Sequence, residues 1–487
     1  MTTDSGRIGR LYALTIGLVS VVGLAAAATI LLELATARPD VLDSSRFGVV
    51  LTVHGVTMVF LVLIPLFPGV LGNLIIPRAV GAPNTALPRL NRLGWYVFTA
   101  GALTVVLAIE IGGYDGGWKM LLPPEYAARK GFIALVVGLL AVTAAGCCLN
   151  LALLGTVFGR RHRSVALSQL PLFVWFFALG MLLQLVVLPA RVWYLLLHID
   201  SRIADFLTPS SVAHVFLEFK QQLFWLYVNP AVLSVMLPAV GFACAVIGGK
   251  QERRLPGQSL LISGLALSLL TLVSWGQHLL TAINSEFIAV MGSMFGLLTL
   301  IPGTIIFGLL LRAWLQNRPS HGPTNTALFG QALTFAVLVT SAIALATPSL
   351  GVYLHNTYVT VAHLHFGAVG IGVIGFVGSV THWWSQLSSR HLSWSWTKAW
   401  LVGMIAGLFI TFVPLLMTGF RGTPRAYHDY AHETQGAHLL AAIGGAVLVA
   451  SLSGWIVHCW SGGRRRRMNG ATGPISPGHH DANIARQ

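Results

Sequence analysis

Apolar runs separated by short polar breaks fill the chain from end to end. Twelve of them are long enough to cross ~30 Å of hydrocarbon as helices. They lie near Leu11–Leu34, Val49–Ile75, Leu93–Glu110, Phe132–Leu154, Leu170–Leu197, Leu223–Ile247, Ser259–Thr281, Ala289–Leu311, Ala327–Leu345, Val359–Trp384, Trp396–Thr418 and Ala437–Val457. A segment in lipid must satisfy its own backbone polar groups, so runs of this length predict helices. The expected fold is an all-α membrane protein, a bundle of about twelve transmembrane helices over residues 1–460. No sizeable soluble domain fits beside it. Residues 461–487 are Gly-, Arg- and Pro-rich and read as a disordered basic tail.

Composition agrees with the pattern. Of 487 residues, 55% are hydrophobic and only 9% charged, with a mean hydropathy of +0.75; a soluble domain carries about 25% charged residues. Charge then orients the bundle. An even number of spans puts both termini on one side, with Arg7, Arg10, Arg78, Arg89, Arg92, Arg160, Arg161, Arg163, Arg253, Arg254 and Arg464 to Arg467. The other side holds most of the acids, among them Asp40, Asp43, Asp115, Glu125, Asp200, Asp205, Asp429 and Glu433. Both termini are therefore expected to be cytoplasmic, in a prokaryotic-type cytoplasmic membrane. The net charge of +15 reads as topology and contact with anionic lipid, not nucleic-acid binding. Cys147, Cys148, Cys244 and Cys459 include no CxxC pair, so neither a disulfide framework nor a thiolate metal site is indicated.

Against this apolar background the intramembrane histidines stand out. His363 and His365 are two residues apart, and at ~100° per residue they point ~200° apart. One helix can thus offer an axial imidazole to two haem irons, one on each flank. His54, in Val53-His54-Gly55, sits a few residues inside its own span at a depth matching His365. Two imidazoles at one depth on different helices can clamp one iron from both faces and make it six-coordinate and low-spin. Gly55 would let a porphyrin plane approach closely. No charged residue is expected in the membrane interior; Glu33 and Glu110 stand near span ends.

Several longer motifs fall in order. They are His54-Gly55-Val56-Thr57-Met58, Gly72-Asn73-Leu74 through Pro88-Arg89-Leu90-Asn91, Gly116-Gly117-Trp118 leading to Pro123-Pro124, Leu354 to Phe366, and Gly422-Thr423-Pro424-Arg425-Ala426-Tyr427. Together they resemble the catalytic subunit of the haem-copper oxidases, subunit I of cytochrome c oxidase and its relatives. The resemblance implies two haems. His54 and His365 would ligate the low-spin one and His363 the high-spin one. Trp118 and Arg425 would sit over propionates, and His355 would lie in the propionate and outer-metal region. It also implies an electron donor of the subunit II or cytochrome c type, and O2 or NO as ligand.

The chain departs from the family where copper should bind. The family's sixth-helix His-Pro-Glu-Val-Tyr reads Asn229-Pro230-Ala231-Val232-Leu233, and its Trp-x-His-His reads Trp275-Gly276-Gln277-His278. One of three copper histidines remains, and an amide is a poor copper ligand. Copper is expected to be absent or weak. Asn84, Ile306, Asn356 and Ala426 likewise replace the family's Asp, Lys, Asp and Arg. Asn229, Gln277 and His278 read either as a hydrogen-bonding distal pocket or as buried amides that pair with each other. Three functions compete: an oxidoreductase acting on O2 or NO without proton pumping, a non-catalytic dihaem electron carrier or gas sensor, and a structural pseudo-enzyme.

Overall fold

The computed structural model describes residues 2–36, 42–120, 131–160, 162, 166–198, 213–249, 255–282, 286–317 and 322–462. The basic tail from residue 463 onward and Pro123-Pro124 lie outside these. Among the described residues, twelve helices are long and apolar enough to span a membrane: Ser5–Ala35, Ser44–Ala79, Pro88–Gly112, Phe132–Gly159, Leu172–Leu196, Glu218–Gly248, Gly257–Leu279, Glu286–Asn317, Pro323–Ala346, Tyr358–His382, Trp394–Phe420 and His432–Ser461. Each contains or overlaps one expected run. Most overrun it, because a helix continues into the interface after its apolar core ends. The all-α reading holds.

The outward face of the bundle is apolar, as lipid requires. Leu18, Val21, Ile111, Leu269, Phe287 and Val457 are all exposed large side chains. The third and fourth spans pack together, as do the fifth and sixth, and the eleventh and twelfth; the twelfth also packs against the first. The tenth span sits inward, against the sixth, ninth and eleventh, and touches the second.

Two spans are not uniform α-helices. In the second, wider π-helical turns run over Thr57–Leu63 and Leu66–Gly72. In the tenth they run over Phe366–Val373. The first of these in each span begins within three residues of a candidate ligand histidine, His54 or His365. Such turns are rare and concentrate at functional sites. A 3.6-residue periodicity cannot foresee them.

The expectation of an uncharged interior needs correction at Arg191 and at Lys220, the latter 7% exposed within the sixth span. Arg191 lies within the fifth span and is 4% exposed, because its guanidinium packs on the rings of Phe60 and Tyr227.

Close backbone approach holds the last two spans together. A Cβ on Gly407 would stand 2.6 Å from Leu448 N, and one on Gly444 2.5 Å from Thr411 N. Small residues of this kind let membrane helices meet where there is no hydrophobic drive between them. Gly407→Val is expected to destabilise the bundle by roughly 1–3 kcal/mol through overpacking. Thermal unfolding in detergent reads this out, and an unchanged midpoint would show that the contact is slack.

Candidate functional site

A cavity of ≈ 840 Å³ runs through the bundle, and all nine candidate residues line it: His54, Trp118, Asn229, Gln277, His278, His355, His363, His365 and Arg425. Its walls are otherwise mostly apolar.

Three imidazoles enter it with one nitrogen committed and one free. His54 Nδ1 donates to Gly23 O at 3.0 Å. His365 Nδ1 donates to Val361 O at 2.7 Å. A carbonyl only accepts, so these partners fix the proton on Nδ1 and leave Nε2 as a lone-pair donor. His363 Nδ1 lies 2.9 Å from Ser341 Oγ, whose own proton goes to Val337 O or Leu338 O. The same tautomer follows. Partners of this type fix the ring orientation and raise the basicity of metal-binding histidines.

The His54 and His365 rings are parallel, with an interplanar angle of 0° and centroids 6.1 Å apart. That gap accommodates one metal ion with two bonds of ~2 Å. The equal-depth reasoning therefore brought together two rings that are 311 residues apart in sequence. His363, on the other flank of the tenth span, bonds to Ser341 of the ninth. These residues fit a pair of haems. When bound, such groups supply one-electron transfer and an open coordination position.

At the outer rim, the segment before the tenth span bridges the segment after the eleventh. Tyr358 N donates to Thr423 O at 3.1 Å, and Arg425 N donates to Asn356 O at 3.0 Å. Arg425 Nη2 also donates to Asn356 Oδ1 at 3.3 Å. Ala426, next in the chain, takes a left-handed φ of 69°, rare for a residue with a Cβ. Gly55 has Trp118 as its near neighbour in the protein. A Cβ there would stand 2.8 Å from Trp118 Cβ, so the close approach it permits is that of Trp118. Lys119, not singled out from the sequence, stands 5.0 Å over the Trp225 ring. Burial, then Arg425, pushes its ammonium pKa down to about 7.

The copper-equivalent positions form a closed chain. Asn229 Nδ2 donates to Ser274 Oγ at 3.0 Å and to Thr271 O at 3.2 Å. Its Oδ1 accepts from His278 Nε2 at 3.3 Å. His278 Nδ1 then accepts from His355 Nε2 at 2.9 Å, and His278 stacks on Trp225 with centroids 4.0 Å apart. His355 Nδ1 is left buried without a partner. Burial first, then Arg425 and Lys119, pushes the His355 pKa down to about 3, so it is neutral at physiological pH. The amides do not pair with each other. Gln277 makes no side-chain hydrogen bond among the described residues, and packs so closely on the eighth span that a Cβ on Gly296 would stand 2.2 Å from its Oε1. With both His278 nitrogens engaged and two amides in place of imidazoles, the site does not fit copper.

The proton-relay equivalents are equally closed. Asn84 accepts from Ser5 N at 3.1 Å and donates to Thr3 O at 3.0 Å, so its amide secures the N-terminal segment. Ala231 is fully buried, and its carbonyl accepts from Ser234 Oγ at 2.6 Å. Ile306 is buried in the cavity wall. Sequence reasoning missed Gly23, Ser341, Trp225 and Ser274. A lone serine in an apolar span was the one available signal; a backbone carbonyl gives none.

Twelve apolar spans around a cavity that receives three lone-pair imidazole nitrogens define an integral membrane protein built to hold metal-bearing prosthetic groups. Residues 7–447 match the family described as cytochrome c and quinol oxidase polypeptide I. Cytochrome c oxidase subunit 1 of Thermostichus vulcanus is 28% identical, over 94% of this chain and 84% of its own length. A putative cytochrome c oxidase subunit 1-beta of Streptomyces avermitilis is 26% identical, over 96% and 84%. Cytochrome bo(3) ubiquinol oxidase subunit 1 of Buchnera aphidicola is 27% identical, over 88% and 66%. A haem-copper terminal oxidase dimer solved by cryo-electron microscopy has the same fold, with a TM-score of 0.72 at 16% identity, covering 98% of this chain and 88% of that one. The chain belongs to the cytochrome c and quinol oxidase polypeptide I family. It is a subunit I-like, haem-containing membrane oxidoreductase of electron transport.

Proposed function

We propose that the protein is a dihaem oxidoreductase in which electrons pass from a low-spin haem to a high-spin haem that reacts with O2 or NO, without a copper centre and without proton pumping. His54 and His365 would hold the low-spin haem, and His363 would hold the high-spin haem. The parallel His54–His365 pair, each ring with its Nδ1 proton committed to a carbonyl, carries this reading.

Every other task falls to the chain's own groups. Arg425, with a guanidinium at the outer rim, and Trp118 face the propionate edge, where an Arg fork pairs well with carboxylates. Gln277 presents the one uncommitted amide of the former copper site toward the distal face. Asn229, His278 and His355 keep each other in place and form the wall of that pocket. Asn84, Ala231 and Ile306 neither titrate at neutral pH nor order a proton path, so protons for any chemistry come from the nearer, outer surface. A subunit II-like or cytochrome c-like donor meets the outer rim. The basic side, with both termini, faces the cytoplasm.

One observation favours a second reading, a non-catalytic dihaem protein for electron transfer or gas sensing. Asn229 and His278 have their hydrogen bonds satisfied inside the protein and need no ligand to complete them.

Purified protein is expected to hold two haems and substoichiometric copper per chain. Pyridine haemochrome and elemental analysis measure both, and one tightly held copper would refute the account of Asn229 and Gln277. His54→Ala is expected to abolish the low-spin spectrum while leaving the high-spin haem partly loaded. Selective loss of the high-spin signal would reverse the ligand assignment. In reconstituted vesicles given a donor and O2 or NO, turnover is expected without outward acidification beyond scalar chemistry. Pumping would contradict the closed relay, and absence of any turnover would favour the second reading.

A further inference from the structure

Arg191 is a buried charged group that neither the haem-ligand set nor the distal pocket uses. Its guanidinium is buried in the fifth span, 4.1 Å from the Phe60 ring centroid and 4.7 Å from that of Tyr227. Nη1 donates to Tyr227 Oη at 2.8 Å. Nε and Nη2, the fork that ordinarily grips a carboxylate, are buried without a partner. No carboxylate among the described residues pairs with it. An unpaired charge in a membrane bundle is costly, and an apolar side chain of similar volume would fill the same slot at less cost. What the bundle gains should therefore lie in the charge.

Two short routes lead from Arg191 to the cavity. Phe60 lies 6.3 Å from Trp118, which lines it, and Tyr227 stands two residues before Asn229 on the sixth span. The intervening groups are aromatic rings, so the field is screened far less than in water.

Each electron taken into this interior adds a negative charge to an apolar region. A proton taken up with it would cancel that charge, but Asn84, Ala231 and Ile306 cannot carry one. We propose that Arg191 is a fixed counter-charge for electrons held in the cavity, raising the reduction potential of the haem pair where mobile protons do not balance it. The proposal rests on the dihaem reading above. Arginine suits the task because it stays charged at any accessible pH. Lys119, at the outer rim of the same cavity, is charged in only part of the population near neutrality.

The test is a spectroelectrochemical titration of the purified haem-loaded protein. Arg191→Met keeps most of the volume and removes the charge, and the midpoint potential of at least one haem is expected to fall. Arg191→Lys and Tyr227→Phe keep a cation while disturbing the ring stack or the hydrogen bond, and are expected to titrate close to the unmodified protein. If Arg191→Met does not assemble, Tyr227→Glu neutralises the guanidinium from the other side and is expected to give the same fall. Unchanged potentials in the neutralised variant, with both haems loaded, would overturn the proposal. So would an equal fall in Arg191→Lys, which would mark the role as packing. Haemochrome analysis of the unmodified protein separates these results from failure of the dihaem reading, since fewer than two haems there would remove its premise.

Discussion

What a histidine can do inside this bundle is decided by the partner of its Nδ1. A neutral imidazole carries one proton, and a backbone carbonyl as neighbour claims it, leaving Nε2 as a lone pair directed elsewhere. Gly23 O does this for His54 and Val361 O for His365. The carbonyl of Gly23 comes within reach because the first span packs closely there: a Cβ on Gly23 would stand 2.5 Å from Thr57 Oγ1. Two parallel rings, one gap and an apolar cavity around them follow from those bonds.

The opposite side of the tenth span obeys the same rule with a different outcome. His278 has both nitrogens committed, to Asn229 and His355, and so has no lone pair to offer a metal. The amides of Asn229 and Gln277 keep the region polar. An unpaired buried amide costs roughly 1–3 kcal/mol, and Asn229 avoids that cost by using both ends of its side chain. Gln277, held against Gly296, is the member of the set that keeps an amide uncommitted.

Among the described residues, no carboxylate pairs with Arg191, Lys119 or Arg425. Arg191 lies in the fifth span, and Lys119 and Arg425 gather at the outer rim of the cavity. Asn84, Ala231 and Ile306 are each part of a local packing or hydrogen-bonded arrangement.

The sequence by itself determined the twelve spans, because crossing hydrocarbon requires long apolar runs whose backbone closes on itself. It also marked nine of the residues that line the cavity, since polar groups are rare enough in these spans to stand out, and since the motifs around His54, His363 and Arg425 resemble a known family. Only the tertiary structure decided how those residues behave. The tautomers of His54 and His365 depend on carbonyls that carry no signature in the chain. The π-helical turns after both histidines break the periodicity by which a helix is read. Gly55 admits Trp118, and Asn229 pairs with Ser274 and His278 rather than Gln277, because helices far apart in sequence meet there. Arg191 is buried for the same reason: the rings that receive it, Phe60 and Tyr227, come from two other spans, and their convergence is a property of packing.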